Sequence, residues 1–233
     1  MDLFGGKIDW NYTITDTPSG DAGLIQFQLG DMTLAAISAG PYFKLNESMS
    51  LMVNVASKDE VRRLYEALSD GGRILMPLAE YPFSPYYVWL EDRFGLSWQL
   101  SYEPDLDVPY SFDICLLFSQ DQVGLAQPML DYYKDKLPQA RLGRLSSYGE
   151  GEAAVAAAKL NYAELFIGDQ KIIAMDHGYG GVAKDQFGIS WQIVPRILME
   201  AYDSASPEQI KAVNAAVMTM KRLDIASIQA LLD

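Results

Sequence analysis

Apolar and polar positions alternate along the chain in a way that divides it into short strands and a few helices. Leu24–Leu29 and Met32–Ile37 follow the two-residue strand period and meet at Gly30-Asp31, a tight-hairpin signal. Ser50–Val55 reads as another strand. Val61, Leu64, Tyr65 and Leu68 then recur at helical spacing, opened by a capping box of Ser57 and Glu60 and closed by Gly71-Gly72. Ile74–Leu78, Tyr86–Leu90 and Ser97–Ser101 return to strand, the last through a Phe94-Gly95 turn. Pro104–Pro109 is the natural linker. Beyond it the pattern predicts a strand at Ser111–Phe118 and a helix over Met129–Leu137, with Pro128 in its first turn. Arg141–Ser147, a bent Ala153–Phe166, Lys171–Met175 and Ile189–Val194 predict further strands, and Pro18-Ser19-Gly20 a loop. A last helix is capped by Ser206, Pro207 and Gln209, with Ile210, Val213, Val217 and Met220 on its apolar face. Ile225–Leu232 forms a closing turn.

The recurring unit is one strand, a helix and three strands. A single unit leaves one sheet face and its edges unpaired, so two must pair, within or between chains. The expected fold class is α+β, with paired βαβββ modules forming half-open, barrel-like sheets and a C-terminal helix.

The segment Asp92–Leu100 recurs at Asp185–Ile193, where eight of nine positions are identical or exchange Leu for Ile. A weaker match joins Gly30-Asp31 to Gly168-Asp169. The two offsets differ by 138 − 93 = 45 residues, so the second copy lacks the stretch matching roughly residues 41–85. The first copy has nothing resembling residues 110–137 before it. The formal charge of −13 opposes association with phosphate backbones and anionic membranes, which argues against nucleic acid and membrane partners. The single cysteine, Cys115, sits in an apolar run and reads as a small buried hydrophobe. With no basic-then-apolar leader and no apolar run of membrane-spanning length, the expectation is a soluble, cytoplasmic protein.

The two Asp-x-Phe-Gly-x-Ser-Trp-Gln segments resemble the signature of PhnB-like, 3-demethylubiquinone 3-methyltransferase-like domains, a branch of the vicinal oxygen chelate superfamily. Gly40–Asn46, Ser50–Asn54, the helix Asp59–Leu68 and the tail Val217–Ile225 carry the same resemblance. It implies paired modules, a small-molecule cavity and a homodimer. It divides the chain into residues 1–104, a copy lacking its first strand and helix, a linker at 105–109, and residues 110–233, a copy lacking its middle module with a helical tail. The modules Met49–Tyr102 and Tyr110–Gly178 are expected to pair with each other, with the N-terminal strands and the second signature completing a further sheet.

In metal-binding relatives the last strand of a module carries a chelating glutamate, and the resemblance places Gln99 and Gln192 there. A neutral amide is a far weaker ligand for a divalent ion than a carboxylate, and the chain has one histidine. The expectation is therefore no metal and no cofactor. Strand alternation puts Gln99 opposite Trp98, so if Gln99 faces the cavity, Trp98 faces the helix. Gln99 and Gln192 either hydrogen-bond a ligand or satisfy buried backbone groups. His177 is the one side chain that titrates near neutrality; it is either a general base or a surface group, and alternation denies it a dyad with Asp176. Trp89, with Tyr81, Phe83, Tyr86 and Tyr87, lines a pocket or packs an interface. No glycine-rich cofactor loop accompanies the methyltransferase label. The leading functional expectation is a metal-free small-molecule-binding protein, with Gln99, Gln192, His177 and Trp89 as ligand-binding candidates. The alternatives are an isomerase, lyase or dioxygenase-type enzyme, and a degenerate copy serving dimerisation.

Overall fold

The computed structural model describes residues 3–17, 20–38, 40, 44–178, 194–220 and 223–233. Gln192, the second signature and most of the strand expected at Ile189–Val194 lie outside them. Among the described residues, eleven strands fall into a three-stranded and an eight-stranded sheet.

The first module runs β4 (Met49–Val55), α1 (Lys58–Ser69), β5 (Arg73–Tyr81), β6 (Ser84–Glu91) and β7 (Ser97–Tyr102). The second runs β8 (Ser111–Phe118), α2 (Ala126–Lys136), β9 (Ala140–Ser147), β10 (Leu160–Ile167) and β11 (Gln170–Asp176). Both are βαβββ, and both set their first and last strands parallel: β4 beside β7 and β8 beside β11. The modules join where β4 and β8 pair antiparallel, giving the order β5-β6-β7-β4-β8-β11-β10-β9. The sheet stays open and does not close into a barrel. Residues 103–110 carry the chain from β7 to β8.

Alternation decides the two faces. Leu51, Val53, Val55, Val88, Leu90, Trp98 and Leu100 point to the α1 side and pack on Val61 and Leu64. Leu116, Ala163, Leu165, Ile172 and Ala174 do the same under Ala126 and Leu130 of α2. Trp98 thus faces the helix layer, and its register neighbour Gln99 faces the other way.

The N-terminal strands β1 (Lys7–Thr17), β2 (Gly20–Leu29) and β3 (Met32–Ile37) form the antiparallel three-stranded sheet. Gly30 takes a φ of 59° in the β2–β3 turn, which glycine tolerates without strain. That turn rests on the first module: Leu29, Met32 and Phe4 join the core around Phe112 and Trp98, where Phe4 stacks on Trp98 at 5.4 Å. The helices α3 (Arg196–Ser204), α4 (Pro207–Thr219) and α5 (Ile225–Gln229) pack Leu198, Tyr202, Ile210, Val213 and Ile228 against Trp10. The chain's two ends thereby share one core. Among the described residues no helix is long and apolar enough to cross a membrane.

Some expectations needed correction. β1 and α3 were not foreseen. Residues 153–159 are irregular and the strand begins only at Leu160, because the small residues there offer no apolar alternation. The α2 helix opens at Ala126, which places Pro128 in the first turn as expected. Only half of the first capping box forms: Ser57 Oγ accepts from Glu60 N–H, while the Glu60 carboxylate accepts from Arg63 and Tyr110 instead. The Ser206/Gln209 box is complete.

Candidate functional site

The face of the eight-stranded sheet away from α1 and α2 carries the polar chemistry. Strand register lays one transverse row across it: Met76, Trp89, Gln99, Met52, Asp113, Lys171, Phe166 and Arg141. The β4–β8 seam runs between Met52 and Asp113. Gln99 and Trp89, both named from sequence, are cross-strand partners in this row.

On the first-module side the groups are neutral and saturated. Tyr87 Oη donates to Gln99 Oε1 at 2.7 Å, and Gln99 Nε2 donates to Ser50 Oγ at 3.1 Å. Trp89 Nε1 donates to Ser97 Oγ at 2.8 Å, and Ser97 Oγ donates to Ser50 Oγ. Ser50, Ser97 and Gln99 are all buried. Both ends of the Gln99 amide are thus hydrogen-bonded, to side chains rather than to backbone groups. Burial raises the Tyr87 pKa well above its ordinary value, so the hydroxyl stays a donor.

The second-module side is charged. Lys171 Nζ pairs with Asp113 Oδ2 at 3.0 Å, and Asn54 Nδ2 donates to the same oxygen at 3.2 Å. Asp113 is 3% exposed, whereas the Lys171 side chain keeps 26% of its surface in solvent. Burial raises the Asp113 pKa, and the ammonium opposes the rise. Tyr162 Oη donates to Glu164 Oε1 at 2.8 Å; burial, and then that carboxylate, push the phenol pKa up. Cys115 sits between the halves, fully buried, with its thiol pushed up to about 12 by burial. A thiol held protonated there is a packing group rather than a nucleophile.

His177 is not part of the row. It follows β11, donates its backbone N–H to Phe118 O, and burial lowers its imidazole pKa. Its neighbour Asp176 faces the helix layer and accepts from the backbone N–H groups of Gly124, Ala126, Lys159 and Leu160. Two of these donors stand at the start of α2, so Asp176 caps that helix from 50 residues away. No acid–base dyad forms between the neighbours. A cavity of about 320 Å³ in the β9–β10 loop is lined by Tyr148, Glu150, Val155 and Lys159 among others. It lies beside His177 through Tyr148, which donates to Asp176 O and accepts from Gly178 N–H.

Asp113, Lys171, Asn54, Tyr162 and Glu164 were missed in the sequence reading. Asp113 breaks the apolar run Phe112–Phe118, and that isolated charge in a strand otherwise built for the core was the available signal.

Residues 8–101 match the family model for 3-demethylubiquinone-9 3-methyltransferase. The chain also resembles glyoxalase I from Zea mays, at 14% identity over 78% of this chain and 62% of that one, with a TM-score of 0.52. The likeness to glyoxalase I shows a shared fold, and the family match covers residues 8–101 only. A PhnB protein from Bacillus cereus, described as a 3-demethylubiquinone-9 3-methyltransferase, is 29% identical over 44% of this chain and 84% of its own, with a TM-score of 0.40. No curated protein matches. The resemblance implied that metal-binding relatives carry a chelating glutamate at the position of Gln99, so the donors around it can be tested for that role. They do not fit it. The Gln99 amide is engaged at both ends, and Asp113 already accepts from an ammonium and an amide. Among the described residues, no three His, Cys, Asp or Glu side chains are grouped as a metal ion requires.

Proposed function

We propose that the chain is a cytoplasmic, homodimeric small-molecule-binding protein that uses the open face of the eight-stranded sheet and no metal. The observation that carries this reading is the state of the two donors flanking the seam. Gln99 is taken up by Tyr87 and Ser50, and Asp113 by Lys171 and Asn54. A divalent ion needs several convergent free donors and would have to displace an ammonium from Asp113. Polar groups held in place by one another instead form a preorganised wall for an organic ligand.

A second reading, an isomerase or lyase, is favoured by one observation. Asp113 and Lys171 are a carboxylate–ammonium pair with the acid pKa raised by burial, and Lys171 reaches solvent. Such a pair can act as general acid and base without a metal.

Native mass spectrometry on freshly purified, untagged protein separates these readings. The expected result is a metal-free dimer with an organic adduct whose occupancy falls in Gln99→Leu. A stoichiometric divalent metal would overturn the metal-free reading. An adduct converted to a new mass by the parent protein but not by Asp113→Asn would favour the enzyme.

A further inference from the structure

We infer that the second-module half of the open face recognises an anion, and that the ligand is a small organic oxyanion on a flat apolar body; this rests on the small-molecule reading above. Arg141, Phe166 and Lys171 are lateral neighbours on β9, β10 and β11. The Arg141 guanidinium lies 3.7 Å from the Phe166 ring centroid, and that of Arg144 lies 5.2 Å from the Tyr162 ring centroid. A guanidinium stacked on a ring keeps its in-plane N–H groups available for a forked contact with a carboxylate or phosphate. Neither arginine forms an ion pair among the described residues, and both are exposed.

The carboxylates on this face are committed elsewhere. Asp113 accepts from Lys171 and Asn54, and Glu164 accepts from the Tyr162 hydroxyl and the backbone N–H of Arg144. Lys171 is paired with Asp113, which also feels Asp31. Arg141 and Arg144 are therefore the cations left without an ion pair among the described residues, in a chain of formal charge −13. Their side-by-side placement makes this a locally cationic face on an acidic molecule, suited to steering a small anion. Gly143 keeps it flat: a Cβ there would stand 2.5 Å from Glu164 Oε2 and 2.7 Å from Phe166 Cε2. Beside the charges on the same face stand the partly exposed side chains of Tyr162 and Met175, seated on the buried Met52, Cys115 and Ile173, and these two account for the flat apolar body. The overall negative charge disfavours a polyanion such as nucleic acid as the occupant.

Benzoate and benzamide, matched in shape and different in charge, are suitable probes, with inorganic phosphate as a third. Binding is read by titration calorimetry and localised by amide shifts at Gly143 and Phe166. Benzoate is expected to bind at least about tenfold more tightly than benzamide. Arg141→Gln and Arg144→Gln are each expected to weaken benzoate about tenfold, as loss of one charge-assisted contact implies, without shifting the thermal midpoint. Equal affinities insensitive to both variants would overturn the anion assignment and leave the small-molecule reading standing. Phosphate binding as tightly as benzoate would remove the apolar body from the ligand class, and no binding by any probe would overturn the inference outright. A dimer that dissociates in both arginine variants, in analytical ultracentrifugation, would show that a second copy occupies the face instead.

Discussion

The two βαβββ modules share strand order and helix placement, yet they solve two local problems differently. The first caps its helix with an adjacent residue, Ser57 for α1, while the second caps α2 with Asp176, drawn from its last strand. On the open face the seam relates Gln99 to Lys171, Trp89 to Phe166 and Met76 to Arg141. The first half of the row is neutral and closed on itself; the second is charged and partly solvated. One module therefore serves as scaffold, and the other keeps unspent electrostatic capacity. Similar backbones do not imply similar chemistry, because the face is written by alternate residues that the fold itself leaves unconstrained.

The largest effect is expected from Asp176→Ala. It leaves four backbone N–H groups without their acceptor, two of them buried or nearly so, and should cost on the order of 4 kcal/mol in urea denaturation. A loss below that of a simple cap would refute the distant capping of α2. Next is Lys171→Met, which strands the buried Asp113 carboxylate and should cost about 3 kcal/mol at neutral pH. The double variant with Asp113→Asn should recover most of this.

The pH dependence of Lys171→Met sharpens the point. Burial already raises the Asp113 pKa, and removing the ammonium raises it further. A group whose folded pKa exceeds its unfolded value stabilises the fold while protonated and loses that contribution as pH rises through the folded pKa. The deficit of Lys171→Met should therefore be small below the unfolded Asp value near about 4 and grow toward neutrality. A flat difference across that window would mean that the pair is solvated.

Gln99→Leu removes the partner of both Tyr87 and Ser50 and should cost about 2 kcal/mol, with no comparable pH dependence because the first half of the row holds no charge. Ser57→Ala should cost no more than about 1 kcal/mol, since the hydroxyl is exposed and its bond to Glu60 N–H is long at 3.4 Å. Equal costs for Ser57→Ala and Asp176→Ala would erase the contrast between the modules.

Much of the fold was legible locally. Strand periodicity located β2 to β9 and β11 to within a few residues, and the Gly30-Asp31 and Phe94-Gly95 turns stand where expected. β1 also carried a signal that went unread, the alternation of Ile8, Trp10, Tyr12 and Ile14. Half of the site was legible too, since the repeated signature pointed to Gln99 and the aromatic run to Trp89. The charged half was not, because Asp113 and Lys171 are 58 residues apart in a chain with many surface charges, and neither lies in a motif. Gln192 lies outside the described residues, and His177 stands away from the row.

By itself the sequence determined the modules, their βαβββ order and the alternation that separates a helix face from an open face, because these follow from the residue periods of strand and helix. It also determined that Gln99 and Trp98 must look opposite ways. Only the tertiary structure decided which strands meet at the seam, since antiparallel pairing of β4 with β8 is a long-range choice among several open edges. That choice brought Lys171 to Asp113, carried Asp176 to the start of α2, and set the two arginines on the same side of the row as Lys171, which still reaches solvent.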